Sequence, residues 1–152
     1  MEIKNIGFDA LIPALKSGQI DVIAAGMDAT PERKKQVAFT DVYYKGGYTI
    51  VVRKDNTDIT GYDTITGKTV GAQVASKAGD MQKNMVQRSK NLITNSQGWM
   101  ELEAGTVDAI SIDKAVAQDY MTHGGNEKAK IVGDPILSRG TAMAISKDKP
   151  EL

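Results

Sequence analysis

Leu15-Lys16-Ser17-Gly18-Gln19-Ile20-Asp21-Val22-Ile23 returns later in the chain as Leu102-Glu103-Ala104-Gly105-Thr106-Val107-Asp108-Ala109-Ile110. Both stretches keep the frame Leu-x-x-Gly-x-x-Asp-x-Ile: an apolar helix end, a glycine stop, then a buried strand. The offset from Leu15 to Leu102 exceeds the roughly 20 to 50 residues of a solenoid repeat. One reading is two lobes, each carrying the same helix–glycine–strand junction; the other is that such junctions resemble one another wherever they occur. In both copies the strand runs into polar sequence, Gly26-Met27-Asp28-Ala29-Thr30 and Ile112-Asp113. Ligands of open α/β sheets bind outside the carboxyl ends of strands, so two such ends facing each other would make a cleft.

Outward from the echo, short apolar runs alternate with stretches of helical period. Ile3–Ile6 is a short strand candidate, and Asp9–Lys16 places Leu11, Ile12 and Leu15 at helical spacing before Gly18. Val22–Ala25, Tyr48–Arg53, Thr69–Ala72, Ala109–Ile112, Ile131–Val132 and Thr141–Ile145 read as strands. Lys77–Arg88, with Met81, Met85 and Val86 on one face, reads as a helix, as do Gln97–Ala104 and Asp113–Met121. A polar stretch, Asp55–Gly67, separates two of the strands. This alternation predicts an α/β protein built of βαβ units around a largely parallel sheet.

The 152 residues, 41% hydrophobic and 25% charged, suit one domain or two small lobes and argue against disorder. Nineteen basic residues balance nineteen acidic ones, which argues against nucleic acid as a partner. No apolar run approaches the length of a membrane span, and Met1-Glu2-Ile3-Lys4-Asn5 opens no signal peptide. The absence of cysteine removes disulfides, thiol nucleophiles and thiolate metal sites, and the single histidine, His123, gives little support to a metal site or a Ser-His-Asp triad. No cofactor or metal is called for.

Few residues are left to carry chemistry. Thr30-Pro31-Glu32-Arg33 reads as a helix start with Thr30 as N-cap and Pro31 at the first helical position. Arg33, Lys34 and Lys35 then stand near the positive end of the helix dipole, unfavourable unless an anion sits nearby. Arg33 could grip a carboxylate bidentately, or the stretch could be a solvated basic turn. Asp113 could cap the helix that follows it, accept from a ligand ammonium, or do both. The turn Gln73-Val74-Ala75-Ser76-Lys77 joins a strand to a helix, where exposed N–H groups and the Ser76 hydroxyl can receive an anion. Phe8 is a core residue by default and a stacking wall by the sharper reading.

Together these residues resemble the type-3 extracellular solute-binding proteins, the amino-acid-binding components of ABC importers. The resemblance is carried by Gly7-Phe8-Asp9-Ala10-Leu11-Ile12-Pro13-Ala14-Leu15, Gly18-x-x-Asp21, Ala25-Gly26-Met27-Asp28-Ala29-Thr30-Pro31-Glu32-Arg33-Lys34, Phe39-Thr40-Asp41-Val42-Tyr43-Tyr44 and Gly67-Lys68-Thr69-Val70-Gly71. Leu102-x-x-Gly105-x-x-Asp108-Ala109, Asp113 and Val132-Gly133-Asp134 complete it, with Ala-Gly-Met-x-x-Thr-Pro-Glu-Arg the most specific segment. It implies a two-lobe type II periplasmic-binding-protein fold. Residues 1–47 would be a partial first lobe with the first hinge, 48–137 a complete second lobe, and 138–152 the second hinge and return strand. It makes Arg33 the α-carboxylate clamp, Asp113 the α-ammonium acceptor and Phe8 a wall against the ligand side chain. The Gly26 carbonyl would take the ammonium too, while Asp28, Gln73 and Ser76 line the pocket. The ligand would be a free amino acid, polar or basic, enclosed as the lobes close and passed to a permease. The setting would be extracellular, lipid-anchored or periplasmic.

The same resemblance implies sections before Met1 and after Leu152, hence a truncated form with impaired binding and exposed first-lobe surfaces. Two other classes follow from it: an enzyme similar to cyclohexadienyl dehydratases on the same scaffold, or a homo-oligomeric fragment completed by swapping. Asp28, Glu32 and Asp113 are the acids such an enzyme would draw on, and each has a simpler explanation.

Overall fold

The computed structural model describes residues 1–80 and 88–152. Met81, Met85 and Val86, the apolar face of the helix expected over Lys77–Arg88, lie outside the described residues, although residues 77–80 are helical. The chain divides into two compact units, Met1–Gly46 with Ser138–Leu152, and Gly47–Leu137.

In the first unit a 3-10 turn, Phe8–Ala10, leads into helix α1, Leu11–Lys16. Leu11, Ala14 and Leu15 are its buried residues, at the i, i+3, i+4 spacing that gives a helix one apolar face. Gly18, at φ +76°, ends it in the left-handed region with its amide on the Leu15 carbonyl at 3.2 Å. Strand β1, Val22–Ile23, and strand β2, Ala38–Phe39, flank the return strand β8, Ala144–Ile145, both antiparallel to it. Leu11, Leu15, Ile23, Met27, Val37 and Ala144 form the core, with Ile6, Phe8, Ile12, Ile20 and Phe39 packed against it. The expected strand Ile3–Ile6 is not formed. Ile3 is exposed, while Ile6 lies half-buried on the core without a ladder partner. β1 stops at Ile23 rather than Ala25, because β8 pairs with only Val22 and Ile23.

The second unit is built on strand β3, Gly47–Arg53, whose Ile50, Val51 and Val52 are fully buried. Side chains alternate across a strand, so Val51 joins Leu92, Leu102, Val107, Ile110 and Ala117 on one face. Ile50 and Val52 join Ile59, Ile65, Val70 and Ala109 on the other. Each such burial is worth about 1.5–3 kcal/mol. Ile59 and Ile65 come from the stretch expected to be merely polar, which also holds a 3-10 turn at Tyr62–Thr64.

The remaining strands are β4, Thr69–Gln73, β5, Arg88–Leu92, β6, Ala109–Asp113, and β7, Ala129–Leu137. With β3 they form a sheet of order β5-β4-β6-β3-β7. Helix α2, Pro31–Gln36, belongs to the first unit; helices α3, Asn95–Ala104, and α4, Lys114–Thr122, to the second. β4 is parallel to β5 and β6, but β3 is antiparallel to β6 and β7. The expectation of a largely parallel sheet is thus corrected to a mixed one. Four strands share a direction, and β3, running against them, separates β6 from β7. β5, where a helix end was expected, is an edge strand whose Arg88 and Lys90 discourage pairing with another chain.

Candidate functional site

Strand β1 ends two residues before Ala25, and Gly26 turns the chain at φ +64°. An added Cβ there would meet nothing within 4 Å, so the backbone angle, not crowding, calls for glycine. The next three residues lie along the return segment. Ala142 N–H donates to the Met27 carbonyl (3.1 Å), Asp28 bridges antiparallel to Thr141, and Ala29 N–H donates to the Gly140 carbonyl (3.2 Å). Asp28 and Thr141 are each 3% exposed. Thr141, at the head of the expected strand Thr141–Ile145, follows Gly140, whose φ is +119° and where an added Cβ would stand 2.5 Å from Val42 Cγ1.

This ladder delivers the chain to α2. Thr30 is the N-cap, its hydroxyl accepting from the Arg33 amide at 3.3 Å, with Pro31 opening the helix. Arg33 is 9% exposed, and its Nη1 donates to the Asp28 carbonyl at 3.0 Å, which also accepts from Thr30 N–H at 2.9 Å. Its guanidinium carbon lies 5.4 Å from the centroid of the half-buried Phe8 ring, a cation–π distance. Phe8, Asp28 and Arg33 are therefore gathered at one place in this unit, and Arg33 is no solvated turn residue. Gly26 is exposed beside them in sequence.

In the second unit Gln73 and Asp113 end the adjacent parallel strands β4 and β6. Asp113 is the N-cap of α4, its Oδ1 accepting from Ala115 N–H at 2.8 Å. The Ser76 hydroxyl donates to the Gln73 carbonyl at 2.6 Å and accepts from Gly79 N–H at 3.1 Å, closing the turn onto the helix that follows. Ala75, within that turn, is held at φ +59°, a left-handed conformation costly for a residue with a Cβ. Gln73 Nε2 donates to the Ile93 carbonyl at 3.3 Å. All three candidates of this unit thus stand at the carboxyl ends of parallel strands, where α/β sheets present ligands.

Other polar groups serve structure. Tyr62 hydrogen-bonds Ser111 at 2.9 Å between the hydroxyls, and burial pushes its phenol up to about 12. At the opposite end of the sheet from Asp113, Arg53, Lys54, Asp55, Glu103 and Lys128 line an open depression of about 300 Å³. Arg53 Nη1 there donates to the carbonyls of Leu102 (3.1 Å) and Val107 (2.9 Å), holding the end of α3. The Lys128 ammonium, 3.0 Å from Glu103, holds that carboxyl below its ordinary range. Among the described residues no group of three or more His, Asp or Glu side chains is placed to hold a metal ion. No described helix is long and apolar enough to cross a membrane.

The model of one protein family, described as bacterial extracellular solute-binding proteins, family 3, matches residues 1–152. The arginine-binding extracellular protein ArtP of Bacillus subtilis is 34% identical over 153 aligned residues, covering 97% of this chain and 60% of the relative. The chain therefore spans about three-fifths of that relative's length. A solved structure of an ancestral arginine-binding protein bound to arginine matches with a TM-score of 0.91 at 40% identity, covering 99% of this chain and 68% of the other. A structure of an ancestral arginine-binding protein bound to glutamine matches with a TM-score of 0.90 at 39% identity, with the same coverage.

Proposed function

The chain belongs to the bacterial extracellular solute-binding proteins of family 3, and from that premise we propose that it captures a free amino acid with a polar or basic side chain for delivery to an ABC importer. The observation that carries this reading is the setting of Arg33. Its position is set by a capped helix, a main-chain carbonyl and an aromatic ring. A guanidinium held in this way is a rigid planar fork of donors, matched to the two oxygens of a carboxylate. An amino acid brings one such carboxylate and one ammonium.

In the first unit, then, Arg33 takes the α-carboxylate, Phe8 packs against the ligand, and the Gly26 carbonyl and Asp28 complete that unit's contribution. In the second, Asp113 accepts from the α-ammonium, and Gln73 and Ser76 line the ligand. Asp113 keeps its capping bond meanwhile, since an ionised carboxylate has about four acceptor sites. Relatives described as arginine-binding, one type bound to arginine and to glutamine, support a zwitterionic ligand of this kind. Binding and release need no covalent step; the chain would act outside the cytoplasm, with the amino acid and the membrane permease of an importer as its partners.

Calorimetric titration with the common L-amino acids, carried to millimolar ligand so that weak binding registers, tests the proposal. Saturable binding of at least one polar or basic amino acid is expected. No response to any of them overturns the reading, and turnover of prephenate or arogenate at an enzymatic rate overturns it in favour of the dehydratase alternative.

A further inference from the structure

We infer that the outer edge of strand β1 is an interaction surface for a second copy of this chain, the two copies pairing strand to strand across a two-fold axis at Ile23. Along the return segment, Ala142 N–H donates to the Met27 carbonyl and the Met143 carbonyl accepts from Thr40 N–H. Even-numbered residues there turn their main-chain groups toward β1, and odd-numbered ones toward β2. Ala144 is therefore the residue that exchanges hydrogen bonds with its partner Ile23. Because antiparallel pairing alternates, Val22 and, just past the strand, Ala24 turn their N–H and C=O groups outward, away from β8. Val22 is 42% exposed, and Ala24, Ala25 and Gly26 are exposed as well. No hydrogen bond joins Ala24, Ala25 or Gly26 to another described residue.

The edges of the other sheet are blunted. β5 carries Arg88 and Lys90, and β7 carries Lys130, Asp134 and Pro135 with a register shift opposite Tyr48 and Ile50. From Val22 to Met27 there is neither charge nor proline, and such an edge is a template for another strand. A second copy fits it because the edge is self-complementary. Setting Ile23 opposite Ile23 puts Val22 opposite Ala24 on both sides of the axis, and each of those pairs exchanges both N–H···O bonds. Asp21 of one copy then faces Ala25 of the other, each Asp21 keeping its own Lys149 at 2.6 Å. The two Asp21 residues stand about 13 Å apart along the strand, farther than the roughly 8 Å over which physiological salt screens charges. With nineteen basic and nineteen acidic residues, the chain adds no net repulsion between copies.

Size-exclusion chromatography with light scattering, run from low micromolar to several hundred micromolar chain, tests this on the unmodified protein, Val22→Lys and Ala24→Pro. Circular dichroism checks that each variant folds. The mass is expected to rise with concentration from 16.3 kDa to twice that value and no further, since a two-fold contact closes on itself. Val22→Lys brings two ammonium groups to the contact, and Ala24→Pro deletes a bonding N–H; each should raise the concentration for half-association by about tenfold or more. Amide exchange gives a second reading: the Val22 and Ala24 amides should exchange more slowly as concentration rises. A mass of 16.3 kDa at every concentration would overturn the inference. A doubled mass that survives both substitutions would overturn it too, by placing the contact elsewhere, as would growth past two copies, which means an edge that does not close. Should Ala24→Pro fail to fold, Val22→Lys and amide exchange decide: unchanged association, or Val22 and Ala24 amides that stay unprotected, counts against the inference.

Discussion

Replacing Thr30 separates the two things its side chain does. The hydroxyl accepts from the Arg33 amide at 3.3 Å, and the residue is 7% exposed, so that amide has no ready access to water. Thr30→Val keeps the volume and deletes the acceptor. A lost N-cap costs about 1 kcal/mol, within a range of about 0.5–2. Thr30→Ser keeps the acceptor and deletes one methyl group, worth about 0.8 kcal/mol when buried. Thr30→Ala should combine the two losses, at roughly 2 kcal/mol. In a chain of 152 residues each kcal/mol moves the melting point by about 2–4 °C, within reach of circular dichroism. The same bond holds the third residue of α2, which is Arg33. Thr30→Val should therefore weaken amino-acid binding more than Thr30→Ser does, although Val is the better steric match. A Thr30→Val protein that melts and binds like the unmodified chain would refute the view that this cap orders Arg33.

Tyr62, with a folded-state value of about 12 against about 10 unfolded, holds its proton more tightly when folded. Its contribution is fully present below about pH 10 and lost as pH rises towards 12, up to about 3 kcal/mol; urea unfolding across that range should show a steeper loss in the unmodified chain than in Tyr62→Phe. At neutral pH Tyr62→Phe should cost about 1–3 kcal/mol, because it strips the partner from the buried Ser111 hydroxyl; equal neutral stability would show that this bond contributes nothing. Ala75→Gly should stabilise the second unit by about 0.5–1 kcal/mol, because it relieves a left-handed alanine at φ +59° and offsets the greater entropy of an unfolded glycine. A lower melting point in Ala75→Gly would contradict that balance.

Local signals in the chain were legible where one short segment holds all the information. Thr30-Pro31 marked the start of α2 to the residue, the β-branched run 48–53 marked β3, and the two glycines of the repeated frame end α1 and α3 at φ +76° and +78°. The aspartates of that frame show where repetition stops. Asp108 Oδ2 accepts from Thr69 N–H at 2.8 Å, tying β4 to β6, whereas Asp21 makes an exposed ion pair with Lys149 at 2.6 Å. Features set by distant partners stayed hidden. β5 holds one buried apolar residue in five and shows no alternation, because it is an edge that β4 recruits. The direction of β3 is decided by its insertion between β6 and β7, and no local pattern encodes it. Ile59 and Ile65 sit among polar residues, yet both cover the sheet. Of the two readings open for Arg33, the solvated turn is excluded by its burial, and Asp113 does cap its helix, one of the roles its position after a strand allowed. The Phe8–Arg33 stack and the Gln73–Ile93 bond join residues about twenty or more positions apart, so neither shows in spacing.

The central claim is that Arg33 holds the α-carboxylate of an amino acid, and pairing a protein deletion with a ligand deletion tests it. L-Arginine and agmatine, the same molecule without its carboxylate, are titrated against the chain and against Arg33→Ala. If the two groups meet, Arg33→Ala weakens arginine by about 2 kcal/mol or more and leaves agmatine nearly unchanged, a coupling of similar size between the two deletions. Equal losses for both ligands would place Arg33 in a purely structural role, and unchanged arginine affinity would contradict the account outright.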